Sequence, residues 1–498
     1  PGNLHLINGL YDCHRSRVPV LAIAAHIPSA EIGTGYFQET DPAHLFKECS
    51  HYVGTVSSAE NLPRILKIAI ETAINKRGVA VLVMAGDVAT SALDAAVQAF
   101  SLEAQSSYLR PSDAKVAELK GALEKAKKVT ILAGAGCEGA HAELLEVARR
   151  LKAPIVHALR GKEHVEYANP FDVGLTGLLG FSSGYHAMEA CDLLLMLGTD
   201  FPYTQFYPKA FTAQVDARGE NIGRRTKVDL GVVGDVRETL KLLLADLAEN
   251  KETKHLEKAL KHYHDTRASF DKEAVPGKIR GAVHPQYVVK ALSDIASADA
   301  VFTCDVGTPT VWAARYLKLN GQRRLLGSFN HGSMANALPQ AIGAQATYPK
   351  RQVFSLSGDG GFAMLMGDIL TLNQHALPVK TIIFNNSSLA FVELEMKAAG
   401  YLETATDLKN PNFAKLAEAA GIVGIRVENP EELIPALERA IAEPGPVVID
   451  VLVPRMELSI PPTISLEQVK GFGVFATKAV MGGLGGELID LAKTNLWR

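Results

Sequence analysis

Val353-Phe354-Ser355-Leu356-Ser357-Gly358-Asp359-Gly360-Gly361 and Val379-Lys380-Thr381-Ile382-Ile383-Phe384-Asn385-Asn386 are the two stretches on which the fold turns. Each opens as a short apolar run of the kind that fills a strand buried on both faces. Each then stops abruptly in polar, turn-forming residues. Twenty-four residues lie between Gly360 and Asn385, with helical character over residues 366–374. Strand, turn, helix, strand, turn is a crossover unit, so Asp359 and Asn386 are expected at the carboxyl ends of neighbouring parallel strands. Ligands of open α/β sheets sit at that edge.

The same grammar extends in both directions. Residues 300–304 and 447–451 read as further buried strands of this unit, which runs over about 284–454. Upstream, strands at 129–133, 154–157 and 193–197 alternate with helices at 114–127 and 142–151. Before them come strands at 19–25 and 79–84 around a helix at 62–75. The fold class is therefore α/β, with three doubly wound, Rossmann-like parallel sheets. The pattern fades over 91–113, and the charged segment 250–281 ends in Pro276-Gly277; both read as linkers. The expected domains are 1–110, 111–262, 263–455 and a tail, 456–498. A length of 498 residues allows about three domains at roughly 150 residues each.

Composition narrows the function classes. With 51 basic against 54 acidic residues the net charge is −3, which gives no global reason to bind nucleic acid. No run reaches the roughly 18 apolar residues of a membrane span. The five cysteines form no C-x-x-C pair, so neither a zinc site nor a disulfide framework is indicated, and a reducing cytoplasm fits. The 15 histidines show no metal-binding spacing, and His255, His262 and His264 are expected to face solvent in the charged linker.

Chemistry concentrates at the two quoted strand ends. The Asp359 carboxylate, the Asn386 amide oxygen and the Ser388 carbonyl make an all-oxygen half-shell. Such a shell suits Mg2+, which completes its octahedron with phosphate and water. Gly360 and Gly361 let the backbone approach a diphosphate closely. Taken singly, Gly-Asp-Gly-Gly is also an ordinary strand-to-helix turn and Asn-Asn an ordinary loop. Matched at adjacent strand ends, they point to a metal-bound diphosphate.

This signature resembles that of the thiamine diphosphate (ThDP) enzyme family. Pro1-Gly2-Asn3, Tyr36-Phe37-Gln38-Glu39-Thr40, Asp305-Val306-Gly307-Thr308-Pro309, His331-Gly332-Ser333-Met334 and Phe391-Val392-Glu393-Leu394-Glu395-Met396-Lys397 are similar to its quinone-reducing pyruvate oxidases. The resemblance implies Mg2+ on Asp359, Asn386 and Ser388. It implies ThDP against Gly332, Ser333, Met334, Asp359, Gly360, Gly361, Asn386, Ser387, Ser388, Leu389, Ala390, Phe391 and Val392. Phe37, Gln38, Val306, Phe391 and Glu395 would surround the reacting carbon. Without the resemblance, Phe37 and Phe391 read equally well as core residues and Glu395 as a solvated charge.

Gly134-Ala135-Gly136-Cys137-Glu138-Gly139 is a full G-x-G-x-x-G, yet the following strand ends in Val156-His157-Ala158-Leu159-Arg160 without the acidic ribose ligand. The NAD reading is therefore rejected. The resemblance instead implies a central FAD domain, with contacts at Gly177, Leu178, Leu179, Gly180, Asp200, Phe201, Pro202, Tyr203, Thr204 and Asp216. A Rossmann-like spacer without flavin is the alternative.

In the tail, Leu466, Val469, Phe472, Phe475, Ala479 and Val480 fall near helical spacing, followed by Gly482-Gly483-Leu484-Gly485-Gly486. Leu488, Leu491, Ala492 and Leu496 then line one face ahead of Trp497, with Glu487 and Asp490 early and Lys493 and Arg498 late, as a helix dipole favours. Such a segment docks on its own core or lies in a membrane interface; the resemblance implies the membrane. The whole would be a cytoplasmic homotetramer, peripheral on the inner face of the cell membrane. It would oxidise pyruvate to acetate and CO2 and pass electrons through FAD to ubiquinone. An acetolactate synthase-like enzyme, a phosphate-dependent, oxygen-using pyruvate oxidase and a non-catalytic, membrane-associated nucleotide-binding remnant are the competing readings. The family's activating glutamate precedes the Pro-Gly-Asn run, so the chain reads as N-terminally incomplete and poorly active alone.

Overall fold

The computed structural model describes residues 1–93, 100, 102, 107–277, 283–455, 457, 466–481, 486, 488 and 491. The chain folds as two compact units, Pro1–Ser107 with Ser328–Ser333, and Tyr108–Gly327 with Met334–Arg498.

The first unit carries a three-stranded parallel sheet, β1 (Val20–His26), β2 (Tyr52–Val56) and β3 (Val79–Ala85), in the order β1-β3-β2. Side chains of the central strand alternate between faces. Val79, Val81 and Val83 meet Leu10, Ala24 and Phe46 on one side, while Ala80 and Leu82 meet Ala69 and Ala73 on the other. Strand β1 lies at the edge and leaves Ile23 56% exposed.

The second unit holds two six-stranded sheets, parallel throughout. The first comprises β4 (Val129–Ala133), β5 (Ile155–His157), β6 (Asp172–Leu175), β7 (Leu193–Leu197), β8 (Phe211–Asp216) and β9 (Leu230–Val233), ordered β6-β5-β4-β7-β8-β9. The second comprises β10 (Val301–Cys304), β11 (Arg324–Gly327), β12 (Val353–Gly358), β13 (Lys380–Asn385), β14 (Val423–Val427) and β15 (Val447–Leu452), ordered β11-β10-β12-β13-β15-β14. These three parallel sheets bear out the α/β reading.

One expected linker is largely helix. Lys254–Glu273 forms a 20-residue helix whose Ala259, Leu260 and Tyr263 cover one face of the β4–β9 sheet. Two of the three histidines expected in solvent are accordingly packed. His255 Nε2 lies 2.8 Å from Thr130 Oγ1, and His262 Nε2 lies 3.0 Å from Ser182 Oγ and stacks on His186. Only His264 of that group is exposed.

The tail forms a helix over Leu466–Met481. Its Phe475 and Ala479 are buried, while Val469, Val474, Val480 and Met481 stay exposed. A Cβ on Gly471 would stand 2.0 Å from the Ala398 carbonyl oxygen, so this glycine permits backbone contact with the helix Ala390–Ala398. Leu484, Ala492, Leu496, Trp497 and the charges at Glu487, Asp490, Lys493 and Arg498 lie outside the described residues, as do Gly482, Gly483 and Gly485. Among the described residues no helix is long and apolar enough to cross a membrane.

Candidate cofactor site

Strands β12 and β13 pair in parallel with Gly358 opposite Phe384, so the loops that follow them share the carboxyl edge of one sheet. The order of that sheet also makes the gap between β10 and β12 its topological switch point, where successive crossovers leave in opposite directions. The residues beyond it are Asp305-Val306-Gly307 and Asp359-Gly360-Gly361. Helix begins earlier than expected: Asp359 itself opens Asp359–Leu365, and a second helix follows at Ile369–Gln374.

Asp359 is 3% exposed. Its Oδ2 accepts from the Ser387 N–H at 2.6 Å and from Asn410 Nδ2 at 2.7 Å, and its Oδ1 accepts from the Gly360 N–H at 2.9 Å. Burial nevertheless outweighs these bonds and raises the Asp359 carboxyl above its ordinary value. A buried acid that burial penalises is a natural partner for a cation, whose charge would reverse that shift. Beside it, Asn386 Oδ1 accepts from the Ser388 N–H at 3.0 Å, an Asx turn that puts Ser387 in the left-handed region at φ +57°. Asp359, Asn386 and the Ser388 carbonyl therefore belong to two loops tied together by the Ser387–Asp359 bond. Among the described residues no cluster of three or more His, Cys, Asp or Glu gathers elsewhere as a metal site. The oxygen donor set fits Mg2+ with a diphosphate.

The two asparagines divide their work. Asn385 turns into the sheet, where Nδ2 donates to Asp450 Oδ1 at 2.9 Å and Oδ1 accepts from Asn410 Nδ2 at 3.0 Å. Asp450 is fully buried and also accepts from the Phe413 N–H and from Arg426 Nη1. Asn410, Asp450 and Arg426 support the site but lie far from its motifs in sequence, with no local signal to reveal them.

Close packing explains the glycines. A Cβ on Gly360 would come within 2.8 Å of Leu389 Cδ2 and 3.6 Å of Met334 Cε. On Gly361 it would stand 2.3 Å from Asp305 Oδ2. Asp305 is 1% exposed, accepts from the Ala337 N–H at 2.8 Å, and is pushed by burial from 3.8 to about 6. A carboxyl raised in this way binds its proton more tightly folded than unfolded. Stability therefore falls as pH rises through that window and levels off above it. Between pH 4.5 and 7.5 the ligand-free protein should lose about 2 kcal/mol from this group. Urea titrations of wild type and Asp305→Asn check this, because their stability difference must drift by that amount; a constant difference refutes it.

The helix Ala390–Ala398 follows the loop that carries Asn386 and Ser388 and presents Phe391, half-buried, and Glu395, exposed. On the same helix Glu393 and Lys397 are 3% and 2% exposed and paired with each other. The i, i+4 spacing of Glu393 and Lys397 is the local sequence signal for this pair.

In the β4–β9 sheet the three proposed flavin segments follow β6 (Gly177 to Gly180), follow β7 (Asp200 to Thr204) and close β8 (Asp216), all at its carboxyl edge. Gly177 has φ +101°, and a Cβ there would meet Phe201 Cε2 at 2.9 Å. Arg315, 5% exposed, donates to the carbonyls of Leu179 at 3.0 Å and Gly180 at 3.4 Å and so fixes that loop. Asp200 is engaged by Arg225 and Arg224, and Asp216 Oδ1 accepts from the Arg218 N–H and Asn221 Nδ2. Leu178, Pro202, Tyr203 and Thr204 are exposed, with Phe201 buried beneath them. Burial first, then the charge of Glu395, raises the Tyr203 phenol, so flavin-loop and helix candidates lie within electrostatic reach of each other. The first two G-x-G-x-x-G glycines serve packing: a Cβ on Gly134 would stand 2.5 Å from the Gly198 carbonyl oxygen and one on Gly136 2.7 Å from Gly198 Cα.

In the first unit, Phe37 is 78% exposed and Gln38 has φ +64°. Their loop closes on the Glu39 carboxylate, which accepts from the N–H groups of Gly33, Gly35 and Tyr36 and is held below the usual range by them. Gly332, at φ +83°, and Ser333 also belong to this unit, where Ser333 Oγ accepts from Asn8 Nδ2 at 2.8 Å.

Three descriptions of one family match the chain in order. They are the N-terminal TPP binding domain of the thiamine pyrophosphate enzymes at residues 1–45, their central domain at 116–243, and their C-terminal TPP binding domain at 305–451. Thiamine pyrophosphate is ThDP. A pyruvate oxidase of Lactiplantibacillus plantarum is 29% identical over 91% of the chain and 76% of its own length. An acetolactate synthase of Mycobacterium bovis is 30% identical with the same coverage. A putative thiamine pyrophosphate-containing protein of Bacillus subtilis reaches 37% over 96% of the chain and 83% of its own length. With the diphosphate motifs at neighbouring strand ends of one sheet and the family's three domains in order along the chain, it belongs to the thiamine pyrophosphate enzymes.

Proposed function

We propose that this ThDP-dependent enzyme is a flavin-containing pyruvate oxidase of the quinone-reducing type. It would convert pyruvate to acetate and CO2 and deliver two electrons through FAD to ubiquinone at a membrane. The observation that carries the reading is the Asp359–Asn386–Ser388 oxygen set beside Gly360 and Gly361. Bound ThDP supplies a nucleophilic carbon and an electron sink for cleaving a 2-oxo acid. Asp359, Asn386 and the Ser388 carbonyl would hold Mg2+ against its diphosphate, with Gly332, Ser333 and the 387–392 segment around it. Met334 offers an apolar side chain beside Gly360. Phe37, Gln38, Val306, Phe391 and Glu395 would shape the substrate pocket and exclude water from it. The loops at 177–180 and 200–204, with Asp216, would hold FAD. The tail would bring a homotetramer, itself cytoplasmic, to the inner face of the cell membrane.

The test is spectroscopic. The purified protein with ThDP and Mg2+ should be yellow, its flavin band should bleach with pyruvate under nitrogen, and a soluble quinone should restore it. A colourless protein, or a flavin indifferent to pyruvate in a protein that also carries the family's activating glutamate, overturns the reading. An acetolactate synthase-like activity is the second possibility, favoured by the 30% identity to such an enzyme; it would condense two pyruvate molecules with no flavin bleaching.

A further inference from the structure

The loop that carries Ser388 leans on a buried ionic cluster built around the Glu393–Lys397 pair. Ser388 is 4% exposed, and its hydroxyl donates to Glu393 Oε2 at 2.5 Å. Lys397 Nζ bonds Glu393 Oε1 from the next turn of the same helix and sits 5.4 Å over the Phe475 ring of the tail helix. Arg455, three residues beyond β15, donates Nε to Glu393 Oε2 at 3.1 Å and turns its other nitrogens to Asp407 and Glu403. The loop at 406–408 is itself paired with the loop that carries Ser388, since Leu408 N–H donates to Ser387 O at 3.0 Å and Leu389 N–H to Thr406 O at 2.9 Å. One carboxylate thus receives a lysine, an arginine and the hydroxyl of a proposed metal ligand. For packing alone an apolar side chain would serve as well, because buried ion pairs seldom add net stability. Groups bonded to metal ligands, by contrast, commonly set affinity by fixing the ligand's geometry.

We infer that Glu393, clamped by Arg455 and Lys397, is a positioning residue for the cation: it holds Ser388 in the loop conformation that supplies the Ser388 carbonyl. This rests on reading Asp359, Asn386 and Ser388 as the Mg2+ ligands. The role belongs to Glu393 and not to the nearby Glu395, which is exposed two residues further along the helix.

The experiment uses the full chain as wild type, Ser388→Ala, Glu393→Gln and the double variant. ThDP binding is followed by calorimetry at a series of MgCl2 concentrations, and thermal unfolding is recorded without either. Ser388→Ala keeps the backbone ligand and removes only the hydroxyl. It should raise the Mg2+ concentration needed for half-maximal ThDP binding roughly tenfold, with little change in the ligand-free midpoint. Glu393→Gln should do at least as much, and the double variant no more than Glu393→Gln, since both break one linkage. Wild-type Mg2+ dependence in a folded Ser388→Ala, or additive effects, overturns the inference. Should Glu393→Gln fail to fold, Ser388→Ala decides alone. Wild type that binds ThDP without needing Mg2+ removes the ligand reading itself, whereas normal wild-type binding with unaffected variants removes only the positioning role.

Discussion

Asp359→Asn should lower ThDP affinity in the presence of Mg2+ roughly a hundredfold while leaving the fold intact. Asp359 is the one carboxylate in the proposed donor set; its two oxygens accept separately from the Ser387 and Gly360 N–H groups, and the asparagine keeps one of these two acceptors. Alanine would leave those buried donors without a partner and confuse binding with folding. The sign of the stability change separates the two effects. Because burial raises the Asp359 carboxyl, its charge opposes folding in the ligand-free protein at neutral pH; removing it offsets the one N–H contact given up, and the neutral variant should melt close to wild type. ThDP and Mg2+ at about 100 times their dissociation constant should stabilise wild type by about 2.7 kcal/mol and the variant by far less. Thermal midpoints with and without both ligands read this directly. A variant that gains as much as wild type would exclude Asp359 as the metal ligand.

The parts of this site that could be read from sequence are those whose geometry is local. Buried parallel strands are largely apolar on both faces, so β12 and β13 announce themselves as mainly apolar runs broken by Ser355 and Ser357 and by Lys380 and Thr381, and their ends locate Asp359 and Asn386. The helix Lys254–Glu273 escaped because its apolar positions, among them Ala259, Leu260 and Tyr263 against the sheet, are few and interleaved with many charged residues. Average polarity hides such a pattern, and two histidines were misplaced with it. Asn410, Asp450 and Arg455 act across 25 to 65 residues of chain, and no spacing rule reaches that far. The most instructive case is the Phe391–Lys397 stretch. Glu393 and Glu395 differ by two positions, which on a helix means nearly opposite faces. Only the packing of Phe475 and Arg455 against that helix shows which of the two is buried.

The second large effect is expected at Gly361. Alanine there puts a methyl group 2.3 Å from Asp305 Oδ2 and 3.0 Å from its Cγ. Asp305 cannot simply swing aside, because it is 1% exposed and its Oδ1 is committed to the Ala337 N–H. Either that bond breaks or the two loops at the switch point part, and overpacking of this kind costs about 1–3 kcal/mol. Gly360→Ala is the internal control. Its new methyl meets the side-chain ends of Leu389, at 2.8 Å, and Leu408, at 3.2 Å, which can yield. Gly361→Ala should therefore lose clearly more stability than Gly360→Ala in urea titrations, and both should weaken ThDP binding. Asp305→Ser shortens the obstructing side chain while keeping an acceptor, so it should recover part of the Gly361→Ala loss, a non-additivity expected only of residues in contact. Equal stability of the two alanine variants, or strict additivity with Asp305→Ser, would mean that the β10 and β12 loops do not close on each other through this pair.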